Sequence, residues 1–225
     1  MQFDDLERMS AHDAEIKQSR IGCLGGSDAA WLLSLNDLQV PRTTMQRIRV
    51  LLGLDEPQAF ETAYTNAGHM FEDYTEEKIL PVEHEPRDGA NISREVLIGK
   101  KRPFRFFRVQ AHADFLSDTG VVYECKYVIK KTTQQVMQQY MAQLQWYYWM
   151  GARRVYLIHG RGCADPFYVL QHTITYVPRI RAYTRAFRTA CYRLERVCYE
   201  IMKNEQQNQM ADSGELPPRI RFEKS

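Results

Sequence analysis

The sequence predicts a chain of mixed helices and strands, α/β or α+β in class. Three observations carry this. Helical and strand periodicities alternate along the chain rather than segregating. A hydrophobic content of 44% over 225 residues suits one globular domain with a core of its own. Glycine, proline and turn residues punctuate the periodic segments at ordinary spacings.

The elements follow in order. Residues 5–19 read as a polar N-terminal helix. The stretch SRIGCLGGSDAAWLL, Ser19 to Leu33, runs through glycines into a helix over Ala29 to Leu35, with Ser27 as its N-cap and Asp28 in the first turn. Pro41 and Thr43–Thr44 precede a helix from Met45 to Leu52, stopped at Gly53. Asn66 to Leu80 forms a third helix with Ala67, Met70, Phe71 and Tyr74 along one side and Pro81 as its stop. Strands are predicted at Ala90 to Ile98, Phe104 to Ala113 and Val121 to Val128. The turn Ser117-Asp118-Thr119-Gly120 joins the last two as a hairpin. A long helix spans Thr132 to Met150, ending near Gly151. Strands at Arg154 to His159 and Phe167 to Thr175 come next. The last helix, Ile180 to Ile201, carries an apolar stripe at Ile180, Tyr183, Phe187, Ala190, Leu194, Val197 and Ile201, with arginines outward. Residues 1–204 are expected to form a single domain, and 205–225 a polar, flexible tail.

Bulk composition excludes several classes. The N-terminal twenty residues are charged and lack an apolar core, so no signal peptide is expected. No apolar run reaches membrane-spanning length. The five cysteines form no C-x-x-C pair. Neither a zinc site nor an iron–sulfur cluster is indicated, and the expected compartment is a reducing cytoplasm. The net charge of +2 hides segregation. Residues 72–88 are acid-rich, KKRPFRFFR (100–108) is basic with interleaved aromatics, and Arg179 to Arg196 holds six arginines. Such charge suits either an enzyme acting on a polyanion or plain solvated faces. Glycines opening a helix favour a phosphate, but neither G-x-x-x-x-G-K-[ST] nor G-x-G-x-x-G is present. A nucleotide-dependent phosphoryl transferase is therefore a poor reading.

The chemistry concentrates in AHADFLSDTGVVYECKYV, Ala111 to Val128. Residues two apart on a strand share a face, so Glu124 and Lys126 point together and Cys125 points away. A hairpin brings Asp114 alongside Glu124. Two carboxylates with the Cys125 carbonyl suit Mg²⁺, and a lysine beside them suits orientation of a water. A surface strand with a cross-strand Glu–Lys pair would show the same triplet. Gly68 and Glu72 lie one turn apart on a helix. The glycine would allow close approach to the sheet and bring Glu72 to the metal shell; otherwise Glu72 is one exposed acid among many. In the long helix Tyr140, Gln143 and Tyr147 share a face. A glutamine there needs a partner if buried, whether catalytic or merely structural.

Taken in order, SRIGCLGGSDAAWLL, NAGHMFEDY, HADFLSDTGVVYECKY and YMAQLQWYYWM resemble the lambda-exonuclease and YqaJ-like viral recombinase family of the PD-(D/E)xK nuclease superfamily, over about residues 19–177. The resemblance implies a restriction-endonuclease-like core, a central mixed β-sheet flanked by helices. It implies a Mg²⁺-dependent 5′→3′ exonuclease on linear double-stranded DNA that exposes a 3′ strand for phage-type recombination. Two Mg²⁺ ions would serve, with Mn²⁺ as a substitute. The implied partners are duplex DNA, further copies in a trimeric ring and a single-strand annealing protein, in the cytoplasm of a bacterial host. Carried over, Asp114, Glu124, the Cys125 carbonyl and Glu72 are metal ligands or their supports, and Lys126 orients the water. Gln143 and Tyr140 line the site. Arg20 and Ser27 match the positions that hold the 5′-phosphate, with Arg42 as a further contact. His112 stands where the lambda-type enzymes carry a phosphate-contacting serine, and Ala113 replaces their signature proline. An endonuclease or repair-type nuclease of the same superfamily, and a non-catalytic DNA-binding recombination scaffold, are the alternative functions.

Overall fold

The computed structural model describes residues 22–35, 42–56, 63–83, 91–99 and 104–213. The helix expected over residues 5–19, and Arg20, lie outside them.

The first described elements are β1 (Cys23–Leu24), a 3-10 turn (Gly26–Asp28) and α1 (Ala29–Ser34). Helices α2 (Arg42–Leu51) and α3 (Ala63–Tyr74) follow, then a π turn (Thr75–Ile79) and α4 (Leu80–Glu83). Strands β2 (Ile92–Ile98), β3 (Arg108–Val109), β4 (Ala111–Ser117) and β5 (Val121–Tyr127) come next. The long helix α5 (Thr133–Met150), strands β6 (Arg154–Ala164) and β7 (Phe167–Val177), and α6 (Arg181–Ser213) complete the order.

Five strands form one mixed sheet in the order β2-β4-β5-β6-β7. All neighbours are antiparallel except β5 and β6, which are parallel and joined by α5 as the crossover. The predicted hairpin is present, and Gly120 closes its turn at φ 80, where a side chain would be strained. Helix α5 starts on a reciprocal cap: Gln135 N–H donates to Thr132 Oγ1 at 3.3 Å, and Thr132 N–H to Gln135 Oε1 at 2.9 Å.

Three local expectations about the elements change. The strand predicted over Phe104 to Ala113 is broken. Phe104 N–H donates to Phe107 O, and Arg108–Val109 leave the main sheet to pair in parallel with β1. The aromatics of that basic stretch turn inward, with Phe107 buried and stacked on Phe104 at 4.9 Å. Pro81 does not end its helix. The wider π turn just before it, in which Leu80 N–H donates to Thr75 O, accommodates a residue with no N–H and a bulky ring. The last helix continues past Ile201 to Ser213, because the intervening residues include good helix formers and no breaker occurs before Gly214.

Alternation along the central strands gives the sheet two covered faces. Val122, Val155, Leu157 and Val177 join the main core with α1, α5 and α6. Tyr123, Cys125, Ile158 and Phe115 pack a smaller cluster beneath Phe71, Ile79 and Leu80. The glycine that lets α3 approach is on the sheet. A Cβ at Gly160 would lie 2.3 Å from the Phe71 ring, whereas one at Gly68 would meet nothing within 4 Å. The close-approach role expected of Gly68 therefore belongs to Gly160. Among the described residues, no helix is long and apolar enough to cross a membrane.

Candidate active site

The β4–β5 ladder is short. Phe115 pairs with Tyr123 and Leu116 with Val122, and the same register one residue further sets Asp114 opposite Glu124. There the strand is bridged by a side chain: Cys125 N–H donates to Asp114 Oδ2 at 2.7 Å. The expected juxtaposition of Asp114, Glu124 and Lys126 is present.

Glu124 shares the α5 side of the sheet with Val122 and is only 1% exposed. Burial of a carboxylate is costly unless donors surround it. Three do. Lys126 Nζ and Gln143 Nε2 both reach Oε1, the latter at 2.5 Å, and the Tyr147 hydroxyl donates to Oε2 at 2.5 Å. Three of the roughly four acceptor sites of a carboxylate are thereby filled. The same hydroxyl lies 3.0 Å from the His112 carbonyl, and Gln143 Nε2 donates to it at 3.2 Å. Gln143 thus has the partner that its place on an apolar face demands. Burial, with the Glu124 and Asp114 charges, pushes the Tyr147 phenol well above its ordinary range, so it remains a donor.

Lys126 lies over the Tyr140 ring, 5.1 Å from its centroid. Burial pulls its ammonium down, but Glu124 and Asp114 outweigh this and raise its pKa, so the lysine stays charged. Asp114 is in the opposite condition. Burial and the nearby Glu124 charge drive its carboxyl well above the usual range against the pull of Lys126, and Glu72 adds to the rise.

Glu72 is mostly buried and lies near enough to act on Asp114, but its immediate partners are the Arg94 guanidinium at 3.4 Å and His69 Nδ1 at 3.6 Å, and its hydrogen bond raises the His69 pKa. Arg94 also holds Asp73 at 2.6 Å and Glu76 at 3.2 Å, so one guanidinium gathers the acidic helix face. Arg94 carried no signal in the sequence, since nothing local marks a strand arginine as facing a helix.

Among the described residues no three His, Cys, Asp or Glu side chains form a ready metal cluster. The donor set nonetheless fits a hard cation. Ions of the Mg²⁺ type take one or two carboxylates and leave the remaining positions to water and phosphate. Burial first, and then the crowding of negative charge, raise the Asp114 pKa, and such a cation would relieve the crowding. Asp114, the acceptor site left on Glu124 and the Cys125 carbonyl are the groups that would hold it.

Of the residues expected at the 5′-phosphate end, the described structure includes the side chains of His112 and Ser27. His112 is exposed on β4, two residues from Asp114 and on the same side of that strand. Ser27 is exposed and does not cap. Asp28 caps instead, accepting from Gly25 N–H at 2.8 Å, because the 3-10 turn places it three residues on. Its charge is also paired with Arg47. The turn sits against α5: a Cβ at Gly26 would lie 3.3 Å from Gln143 Cγ. Arg42 starts α2, but its side chain, like Arg20, lies outside the described residues.

His159 escaped the sequence reading. It is 1% exposed and level with Lys126 on the neighbouring strand. Its Nε2 lies 3.1 Å from Val128 O, which only accepts, so the proton is on Nε2 and Nδ1 accepts from Thr133 Oγ1 at 3.0 Å. Thr173 completes the chain at 2.9 Å from Thr133. This network fixes the first turn of α5, the helix bearing Gln143 and Tyr147.

No family model matches the chain, and no curated protein matches its sequence. Solved structures do match its fold. An alkaline exonuclease, LHK-Exo from Laribacter hongkongensis, superposes with a TM-score of 0.61 at 15% identity, over 86% of this chain and 98% of its own. Its complex with dAMP gives 0.65 at 16% identity, over 88% and 98%. A phage-related exonuclease from Haemophilus somnus 129PT gives 0.60 at 9% identity, over 84% and 99%. The chain shares the mixed-sheet fold of these enzymes.

Proposed function

We propose that this chain, built on the fold of alkaline and phage-related exonucleases, is itself a metal-dependent nuclease. In its finer form the proposal is a Mg²⁺-dependent 5′→3′ exonuclease that digests linear double-stranded DNA. The carrying observation is the buried Glu124, opposite Asp114 and bonded at once by Lys126, Gln143 and Tyr147. A cross-strand salt bridge on a surface strand would not be buried to 1% or hold three donors.

Asp114, Glu124 and the Cys125 carbonyl would hold the ion, with Glu72 as the supporting acid. The chemistry supplied by Mg²⁺ when bound is Lewis-acid activation of water and neutralisation of charge on the scissile phosphate. The protein does the rest. Lys126, kept protonated by its carboxylate neighbours, orients the attacking water and offsets the negative charge that grows as its oxygen bonds to phosphorus and the bridging P–O bond breaks. Gln143 and Tyr147 fix the Glu124 carboxylate in one rotamer. Tyr140 covers one side of the lysine. Because Gly26 packs on Gln143, the glycine turn lies beside this chemistry. Ser27, Arg20, Arg42 and His112 are assigned to the 5′-phosphate end. Ring assembly and a single-strand annealing partner follow from the resemblance alone, and sedimentation of the purified chain tests the ring.

The decisive experiment is digestion of 5′-phosphorylated linear, 5′-hydroxyl linear and covalently closed circular duplexes, with Mg²⁺ and with EDTA. We expect Mg²⁺-dependent loss of linear DNA, fastest with 5′-phosphate, abolished by Lys126→Ala and by Glu124→Ala. Digestion by either variant at the wild-type rate refutes the site. Equal cutting of closed circles makes the chain an endonuclease, and DNA binding with no cutting makes it a scaffold.

A further inference from the structure

A cavity of about 580 Å³ opens between α1 and α6, with no acidic residue in its lining. It is lined by Leu33 of α1 and by Arg181, Arg185, Thr189 and Arg193 of α6. The charge there is one-sided. From Arg181 to Leu194 the helix carries four arginines and no acid, the first acid being Glu195. Its first turn has no Asp or Glu either. Cations at a helix N-terminus oppose the macrodipole, so this arrangement works against the helix and concentrates positive potential at one end of it. The apolar stripe does not require it: Phe187, Ala190 and Leu194 are buried regardless of what the outer face carries.

The groove is coupled to the site through α1. That helix begins at the turn packed on Gln143 and ends at the groove wall.

We propose that the groove between α1 and α6 binds the phosphate backbone of DNA, with Arg181 and Arg185 as its principal contacts. This rests on the nuclease reading for its ligand but not for its test. Arginine forks match phosphate oxygens in geometry as well as charge, and backbone contacts of this kind read no base. DNA is favoured over an acidic protein surface because the groove's α1 wall follows directly from the turn packed on Gln143, whose neighbours suit phosphodiester chemistry.

The test is direct binding, by anisotropy of a labelled linear duplex in EDTA, across a salt series. Each lost phosphate contact removes about 0.9 from the slope of log K against log salt. Arg181→Ala/Arg185→Ala should therefore flatten the slope by about 2. The control pair Arg196→Ala/Lys203→Ala makes the same charge change farther along α6, outside the cavity, and should move the slope far less. Unfolding curves for both pairs establish that they fold. Equal slopes in the two pairs, or an unchanged slope in the groove pair, overturns the proposal and leaves the groove to another partner. Because no cutting occurs in EDTA, failure here is separable from failure of the nuclease reading, which the digestion assay reports.

Discussion

Gly160 is where a single methyl group should tell most. A Cβ there would stand 2.3, 2.5 and 2.7 Å from Phe71 Cε2, Cζ and Cδ2. Carbon atoms in contact prefer about 3.5–4.0 Å, so more than an ångström must be found. Phe71 has no solvent to retreat into: it is 0% exposed, with Tyr127 at 5.4 Å and Tyr74 at 6.5 Å between ring centroids. Gly160→Ala must therefore displace α3 or force the ring off its rotamer, which costs about 1–3 kcal/mol. Phe71→Ala alone should cost about 3–5 kcal/mol through the cavity it leaves. The double variant should be no less stable than Phe71→Ala, since the clash is gone. Urea denaturation of the four proteins measures the coupling, expected at about 1–3 kcal/mol. Additive losses would show that Gly160 does not set the distance between α3 and the sheet. Because α3 carries Glu72, Gly160→Ala should also slow cutting under the nuclease reading, and Phe71→Ala should not restore it in full.

Three further outcomes are expected. Tyr147→Phe removes a donor from a buried carboxylate and should cost about 1.5–3 kcal/mol; an unchanged urea midpoint would mean that the hydroxyl does not hold Glu124. His159 is kept neutral, because burial lowers its pKa against a smaller opposing pull from the Val128 carbonyl. Below about pH 6.5 the unfolded chain binds a proton that the folded chain refuses. Stability should therefore fall as pH drops through that value and level off below the folded pKa. His159→Asn should be weaker at neutral pH yet lose that segment of the slope in urea titrations, and an identical slope would exclude His159 as its source. Arg94→Ala releases Glu72, Asp73 and Glu76 from their shared cation. It should destabilise most at neutral pH and least where the acids are protonated, as read from the melting temperature across pH, whereas a uniform loss would point to packing instead.

The parts of the site legible in the sequence were those set by short-range geometry. Strand alternation put Glu124 and Lys126 together, and the turn at Ser117–Gly120 fixed the register that sets Asp114 opposite. The face of α5 followed from helical spacing. What escaped depends on contacts between distant segments. Gly68 and Gly160 look alike in a sequence, and only the packing of Phe71 separates them. Arg94 and His159 act across elements with no periodic signature. Pro81 misled because a π turn, which no propensity announces, removed the conflict that normally ends a helix. The break at Gln110 came from pairing with β1, whose partner strand lies about eighty residues away in sequence.

One consequence of the hairpin and crossover helix concerns how the chain folds. The bonds that tie Asp114 to Cys125, and Glu124 to Gln143 and Tyr147, span 11, 19 and 23 residues. Loop closure over such distances is cheap and fast, so β4, β5 and α5 can find one another before the remote segments arrive. Glu72 and its helix have to dock from much farther along the chain, onto a nucleus already formed. Nascent chains that have emerged only as far as Met150 would already carry the whole Asp114–Tyr147 constellation, and protection of the Cys125 amide from hydrogen exchange early in refolding would be its visible trace.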